Sequence, residues 1–518
     1  MKRMSVIILL IMAVTGSAVP ALAAKQEDKR DDQYYPELRN DEDMRVIQSK
    51  KNMLSSGVQY GGWITPVIIY QEIPQFELLP PIVSVPWTIP SYTFKADELA
   101  TSVTTSRVWL KTYLWDNSYL YVRGKDTYTA VISQASVSKV KDKNVLDLDI
   151  GYIAMATPRR DVDFTAGRKY FLIGSGLVLD GRGDGAEFNY YSRYITIKAL
   201  GAWSGWLVKD DNPYGLSDRD IATGAKRLFA GGRLSTEWFN QTLYVYGLGQ
   251  FDYGKERYDN NKRTISALGG YTDGFTYYSQ KTHYNSQYYG AGLEGVIVSG
   301  LSYSGEFIME RGKSYLPVNL IPGLYGYNIL ENILAYAAQL KLNYYINVLL
   351  KPVLAAQYAF GSGDVNRTDY RLPYGNAWGK DRGFLYFGTF VGGYALKPFL
   401  ANMHVIGGSV SFSPFSWLNV YYVKNMTLIA KYWYYMKHRV FSPINYGLDA
   451  TRPNRDIGHG IDLALRWLIF SDFSFFLNYG VFIPGKASGY YRDYLYARTT
   501  YSGTSYRHFM MGGFNISF

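Results

Sequence analysis

The chain of 518 residues contains no cysteine. Disulfides, thiolate metal sites and cysteine nucleophiles are therefore excluded. Histidine is scarce as well. Its five positions, His283, His404, His438, His459 and His508, form neither an HExxH motif nor a close pair at zinc-ligand spacing. Past the first two dozen residues, no stretch approaches the roughly 20 apolar residues that a membrane helix needs. A clustered basic face is also missing: 54 Lys and Arg against 43 Asp and Glu give a net charge of +11, but the excess is spread along the sequence. That distribution argues against nucleic-acid binding.

Aromatic residues are plentiful. They make up 17% of the chain, with 50 tyrosines, yet the mean hydropathy is only −0.15. Half-apolar, half-polar strands with aromatic collars at two interfaces would give that balance. The amino terminus shows Lys2 and Arg3, a short apolar run from about Val6 to Val14, and Ala21-Leu22-Ala23. That pattern reads as a signal peptide over 1–23. Residues 24–52 carry dense charges of both signs and read as a periplasmic tail. Residues 53–518 read as one transmembrane barrel domain.

The period of two is clearest at the carboxyl end. Phe518, Ile516, Phe514 and Met510 alternate with Ser517, Asn515 and Gly513, and Arg507 continues the polar face. A chain ending on such a strand and a terminal aromatic resembles the closing strand of bacterial outer-membrane β-barrels. The resemblance implies that Phe514, Ile516 and Phe518 form the signal read by the barrel-assembly machinery. Eighteen strand-like segments follow one another from 57–71 to 505–518, joined alternately by short turns and long polar loops. Short turns include Asp116-Asn117-Ser118, Asn240-Gln241 and Ser299-Gly300-Leu301; long loops include 206–226, 362–400 and 435–456. The expected fold is all-β: a transmembrane antiparallel β-barrel of about 18 strands, with periplasmic turns and extracellular loops. Parity makes 57–71 the first strand, with Phe384 to Tyr394 as the substitute.

Counting alternate positions separates a lipid face from a lumen face. Ile457, Ile461, Leu463, Leu465 and Trp467 share one face, and Leu146, Leu148, Ile150 and Tyr152 another. Lys424, in the segment 417–434, falls on the lipid phase. The same count aims Arg107, Lys111, Arg123, Lys125, Lys198, Arg227, Arg233, Lys341, Arg466 and Arg507 into the lumen. Asp147, Asp149, Glu237, Glu294, Glu306, Glu310 and Asp462 join them. Such charges either set ion preference through their local field or pair across strands and cancel. Arg107, Lys111, Arg123 and Lys125 sit on one hairpin with Asp126 pointing away, so that hairpin is expected to be the most anion-attracting wall.

Other signals are weaker. The glycine-rich run Gly174 to Gly185 lacks the Gly-Lys-Ser/Thr ending of a phosphate loop. Asp180, Asp184 and Glu187 could hold Ca²⁺, although carboxylates in loops are usually just solvated; no metal site and no cofactor is expected. His459 and His508 fall on an outward phase, but nothing marks a serine partner for a hydrolase. The proline-broken apolar segment from Ile73 to Pro90 is expected to fold inward or pack on the rim.

Two segments resemble the alginate-export family of porin-like barrels. One runs Thr165-Ala166-Gly167-Arg168-Lys169 through Gly174-Ser175-Gly176 to Asp184-Gly185-Ala186-Glu187-Phe188-Asn189-Tyr190. The other is Ala355-Ala356-Gln357-Tyr358-Ala359-Phe360-Gly361-Ser362-Gly363-Asp364. The resemblance implies a porin or export channel in a Gram-negative outer membrane, contacting lipid and passing a hydrophilic, anionic or saccharide solute, with no bond chemistry. The alternative is a binding or scaffold barrel (a receptor, an adhesin or a housing for a partner protein) with a plugged lumen.

Overall fold

The computed structural model describes residues 52–73 apart from 56, 97–134, 142–254 apart from 217–219 and 221–222, 283–318, 327–367 and 379–444. It also describes 453–518 apart from 489, 494–497 and 502–505. The charged tail up to residue 51 and the segment 74–90 lie outside these residues.

Eighteen antiparallel strands close into a barrel. The first six are β1 (Val58–Ile73), β2 (Asp97–Trp115), β3 (Ser118–Gln134), β4 (Lys143–Ala156), β5 (Val162–Ile173) and β6 (Leu179–Tyr191). Next come β7 (Thr196–Trp203), β8 (Arg227–Trp238), β9 (Gln241–Asp252), β10 (His283–Val298), β11 (Leu301–Val318) and β12 (Tyr327–Tyr345). The last are β13 (Val353–Gly361), β14 (Met403–Phe412), β15 (Met426–Lys437), β16 (Asp456–Phe470), β17 (Phe473–Pro484) and β18 (Arg507–Ser517). Each pairs with its sequence neighbour, and β18 also pairs with β1, Trp63 opposite Ser517 and Tyr70 opposite Met510. Closure joins the first and last strands, so their backbone groups are paired even where water is absent. Short strands at Asn52–Ser55 and Lys380–Asp381 attach to β1 and β12.

One end of the barrel carries tight turns. Asn117, Arg160 and Asn240 adopt φ of 59°, 54° and 59°, and Gly300 adopts 85°. Left-handed turn residues match the twist of the flanking strands. The outer face is an apolar belt: Ile68, Leu148, Leu234, Leu243, Phe307 and Leu463 are all exposed. Trp115, Trp238, Phe239, Tyr345 and Trp417 form an exposed aromatic collar at the short-turn end. An apolar band bounded by an aromatic collar is the surface a bilayer solvates. On β18, Met510, Phe514 and Ile516 face outward, while Asn515 and Ser517 are buried.

Bulges break the simple alternation, and two of them reverse expected faces. Leu148 is 46% exposed but Ile150 only 5%. Arg123 pairs with Ile150 and Gly124 with Leu148, so Asp149 is an extra residue that reverses the phase. Ile150 and Tyr152 therefore face inward, against the expectation from period two. Ile457 is likewise fully buried, because Tyr435 pairs with Gly458 and Met436 with Asp456. Lys424 belongs to a helical turn, Tyr421–Lys424, ahead of β15, which removes it from the lipid phase of a strand.

The long loops depart most from expectation. The described parts of 206–226 and 362–400 do not simply extend outward, and Phe384 to Tyr394 is not a strand. Phe384 and Leu385 are fully buried inside the barrel, as are Tyr214 and Leu216 at no more than 9% exposure.

Candidate functional site

Three inward segments fill part of the barrel interior. The first is the tip of the β5–β6 hairpin. β5 pairs with β4 only up to Arg168, and β6 pairs with β7 only from Asp184 onward. Between those points the hairpin keeps its own ladder but leaves the wall. Both of its faces are buried: Phe171, Ile173 and Leu179 on one, Tyr170 and Arg182 on the other. Gly167 and Gly185 pair across the hairpin where it departs. Gly167 has φ +133°, and a Cβ there would lie 2.3 Å from the Gly151 carbonyl oxygen. At Gly185 a Cβ would lie 1.9 Å from that of Gly201. Only glycine lets the strands approach this closely at the bend. The tip then crosses the interior to β11, where the Ser175 amide donates to Glu306 Oε1 at 3.1 Å and the Ser175 hydroxyl to Oε2.

The second segment is 379–402. Ser362-Gly363-Asp364 turns the chain inward: the Arg382 amide donates to Asp364 Oδ2 at 2.8 Å, and the Phe384 amide to the Ser362 carbonyl. Arg367 clamps Asp381 through Nε and Nη2, both at 2.8 Å. The chain passes Glu310, which accepts from the Leu385 amide, and pairs with the hairpin tip through Phe387, Gly388 and Thr389. It reaches β16 where the Tyr394 amide donates to Asp462, and β1 where Lys397 donates to Gln71. The third segment, 204–226, is held by Tyr214 donating to the Arg182 carbonyl at 2.8 Å and by Arg227 donating to Asp220 at 2.7 Å.

The predicted lumen residues fall into separate groups. Arg107 and Arg123 both donate to Asp149 Oδ2, at 3.2 and 2.6 Å, and Arg182 donates to Oδ1 at 3.0 Å. Arg182 also reaches Asp147 at 3.1 Å, and Lys125 pairs with Asp211 of the 204–226 segment. The expectation of an uncompensated positive hairpin is therefore wrong. The count by hairpin ignored the next strand, whose bulge presents Asp149 between the guanidiniums, and a loop that returns from 86 residues away. Lys111 lies over the rings of Tyr119 and Tyr113, 3.9 and 5.5 Å from their centroids.

Elsewhere the charges act in pairs or as anchors. Lys198 and Lys169 share Glu187 at 3.1 and 3.4 Å. Arg233 meets Glu294 at 3.2 Å. Arg227 is fully buried and also lies 3.5 Å from Asp252. Glu306, Glu310 and Asp462 receive the inward segments, as described. Arg466 donates to the Leu465 carbonyl, and Arg507 stacks on Phe482. Lys341 is half-buried and Glu237 exposed. Asp184 is held bidentately by Arg168 at 2.8 and 3.0 Å, Glu187 by lysines, so the carboxylates considered for Ca²⁺ have different partners. The Nδ1 atoms of His459 and His508 meet the hydroxyls of Tyr432 and Tyr479 at 2.8 and 2.9 Å.

Sequence reasoning missed Arg168, Arg182, Asp211, Arg367 and Asp381 as site residues. Arg168 and Asp184 were within reach, because a hairpin turning at Gly174 to Gly176 sets them opposite each other. Asp211 and Asp381 carry no local signal.

A cleft of about 260 Å³ remains between the hairpin and the short-turn end. Tyr119, Tyr121 and Tyr152 line one side, Lys169, Glu187 and Asn189 the other.

The family model for alginate export matches residues 253–497, a little under half of the chain. The match includes the Ala355 to Asp364 segment and bears out the resemblance there. Among solved structures, OccK8 (OprE) of Pseudomonas aeruginosa is 10% identical, with 89% of this chain and 98% of that one covered at a TM-score of 0.47. OccK7 (OpdD) of the same organism is 10% identical, with 89% and 98% covered at 0.46. No curated protein matches the sequence. The closed antiparallel sheet and its exposed apolar belt make the chain a transmembrane β-barrel of the outer-membrane type.

Proposed function

We propose that the protein passes a small hydrophilic solute through a lumen narrowed by the hairpin tip and segment 379–402. The observation that carries this reading is the anchoring of both segments to the inner wall by buried carboxylates, Glu306, Glu310 and Asp462. Fixed inward loops restrict a pore without closing it by chemistry, and fixed charges then tune which solute enters. The β2–β6 wall supplies those charges as compensated pairs, with Arg107, Arg123 and Arg182 around Asp149. This supports weak ion selectivity. The outward residues Phe514, Ile516 and Phe518 remain the proposed assembly signal.

Planar-bilayer conductance and liposome swelling over a size series of sugars and organic anions test the channel reading. Ion conductance with a sharp size limit is the expected result. A barrel that inserts and conducts nothing overturns it in favour of the second reading, a binding or scaffold barrel. The tight apolar packing of Leu177, Val178, Phe384 and Leu385 inside the wall is the observation that favours that alternative.

A further inference from the structure

Beneath the hairpin tip the two sides of the cleft differ in chemistry. On β3 and β4 the surface is aromatic, with Tyr119, Tyr121 and Tyr152. Trp109 stacks on Tyr121 with ring centroids 6.0 Å apart, Tyr121 meets Tyr152 at 5.7 Å, Tyr152 meets Tyr119 at 6.1 Å, and Tyr119 meets Tyr113 at 6.3 Å. Tyr119, Tyr121 and Tyr152 form a short aromatic track in the cleft, backed by Trp109 and Tyr113 of β2, which lie outside its lining. Tyr152 joins it only because the Asp149 bulge reverses the phase of β4. On β5–β7 the surface is polar, with Asp163, Thr165, Glu187, Asn189 and Lys198.

Each cation beside the track is engaged, Lys111 by the Tyr119 ring 3.9 Å from its Nζ. Arg123 is bound to Asp149, and Lys169 and Lys198 share Glu187. An anionic ligand would have to displace Asp149 from Arg123, Glu187 from the two lysines, or the Tyr119 ring from Lys111. A neutral ligand with a flat C–H face and a rim of hydroxyls would displace none of these. It could lay that face on the rings and hydrogen-bond across the cleft, the usual division of a pocket into apolar walls and a few orienting polar groups.

We propose that this track is a binding subsite for uncharged pyranosides, through which the channel's solute is a short neutral saccharide. The inference rests on the channel reading above and names its substrate class. A pyranose fits because it is cyclic and amphipathic; an acyclic polyol of equal polarity has no such face.

The test is occlusion of ion current through the reconstituted full chain by maltotriose, with mannitol as the acyclic control and a trigalacturonate as the charged one. Maltotriose should reduce the current in a saturable way, and mannitol should not. Replacing Tyr119, Tyr121 and Tyr152 together by Ala should raise the half-blocking concentration at least tenfold. Replacing them by Phe should leave it within about threefold, because the rings carry the contact. The Phe variant also keeps the wall packed, so it guards against a misfolded Ala variant. A conducting wild type that maltotriose does not occlude, or that trigalacturonate occludes more strongly, overturns the inference and leaves the channel reading intact. Loss of occlusion in the Phe variant overturns ring stacking as its basis. If the wild type does not conduct, the channel reading fails. Maltotriose binding by isothermal titration calorimetry, lost in the Ala variant, then decides the subsite by itself.

Discussion

Replacing Asp149 by Asn should be among the most damaging single changes in the barrel wall. The carboxylate is fully buried and touches Arg123 at 2.6 Å, Arg182 at 3.0 Å and Arg107 at 3.2 Å. With charge centres about 4 Å apart and an effective dielectric of about 20, each contact is worth roughly 4 kcal/mol of gross attraction. Desolvating the four ions and the mutual repulsion of the guanidiniums offset most of that sum. Removing the shared anion leaves the costs in place, so the net loss should approach the ~3–5 kcal/mol typical of a broken buried pair. Urea unfolding of the barrel in detergent micelles, followed by heat-modifiability on gels, measures it. Adding Arg123→Gln to Asp149→Asn should restore part of the loss, because it removes one of the stranded cations. Where the variant still inserts, its reversal potential should shift toward anions, more at low salt than at high. A loss below about 1 kcal/mol, with no rescue by the second substitution, would refute the buried cluster.

Other expectations follow from the inward segments. Arg367→Met frees buried Asp381 and should release segment 379–402, raising single-channel conductance; unchanged conductance in a folded variant argues that the segment does not narrow the pore. Gly185→Val drives a side chain into the Gly201 carbonyl and should cost at least about 1–3 kcal/mol in the same urea assay, unless the hairpin bend is elsewhere. His438 lies just past β15, and burial, then neighbouring His404, Arg439 and Arg455, push its imidazole down to about 4. A depressed folded-state value means its contribution is present above the ordinary value near 6.5 and is lost as pH falls through about 4. His438→Gln should therefore flatten the acid side of the stability profile between those values, and an unaltered profile would contradict the assignment.

The local pattern of the chain determined the wall. A strand that meets lipid must place an apolar residue at every second position, so Phe514 and Ile516, or Ile461 and Leu463, announce their face without help from elsewhere. The tight turns at Asn117, Asn240 and Gly300 were equally local, because a left-handed backbone position selects its residue. The glycine-bearing segments around Gly167, Gly185 and Gly363 were visible as motifs, but not as bends. What those bends accomplish depends on partners far away in sequence: Ser175 meets Glu306 across 131 residues, and Leu385 meets Glu310 across 75. Contacts of that kind impose no period, and so leave no local trace. The bulges at Asp149 and Ile457 had the same origin. One extra residue reverses every later position on a strand, and only pairing with the neighbouring strands reveals where it sits. Lipid acts on each outward residue separately and writes its demand into the sequence, whereas the filling of the lumen is a property of segments meeting one another, which the tertiary structure alone decided.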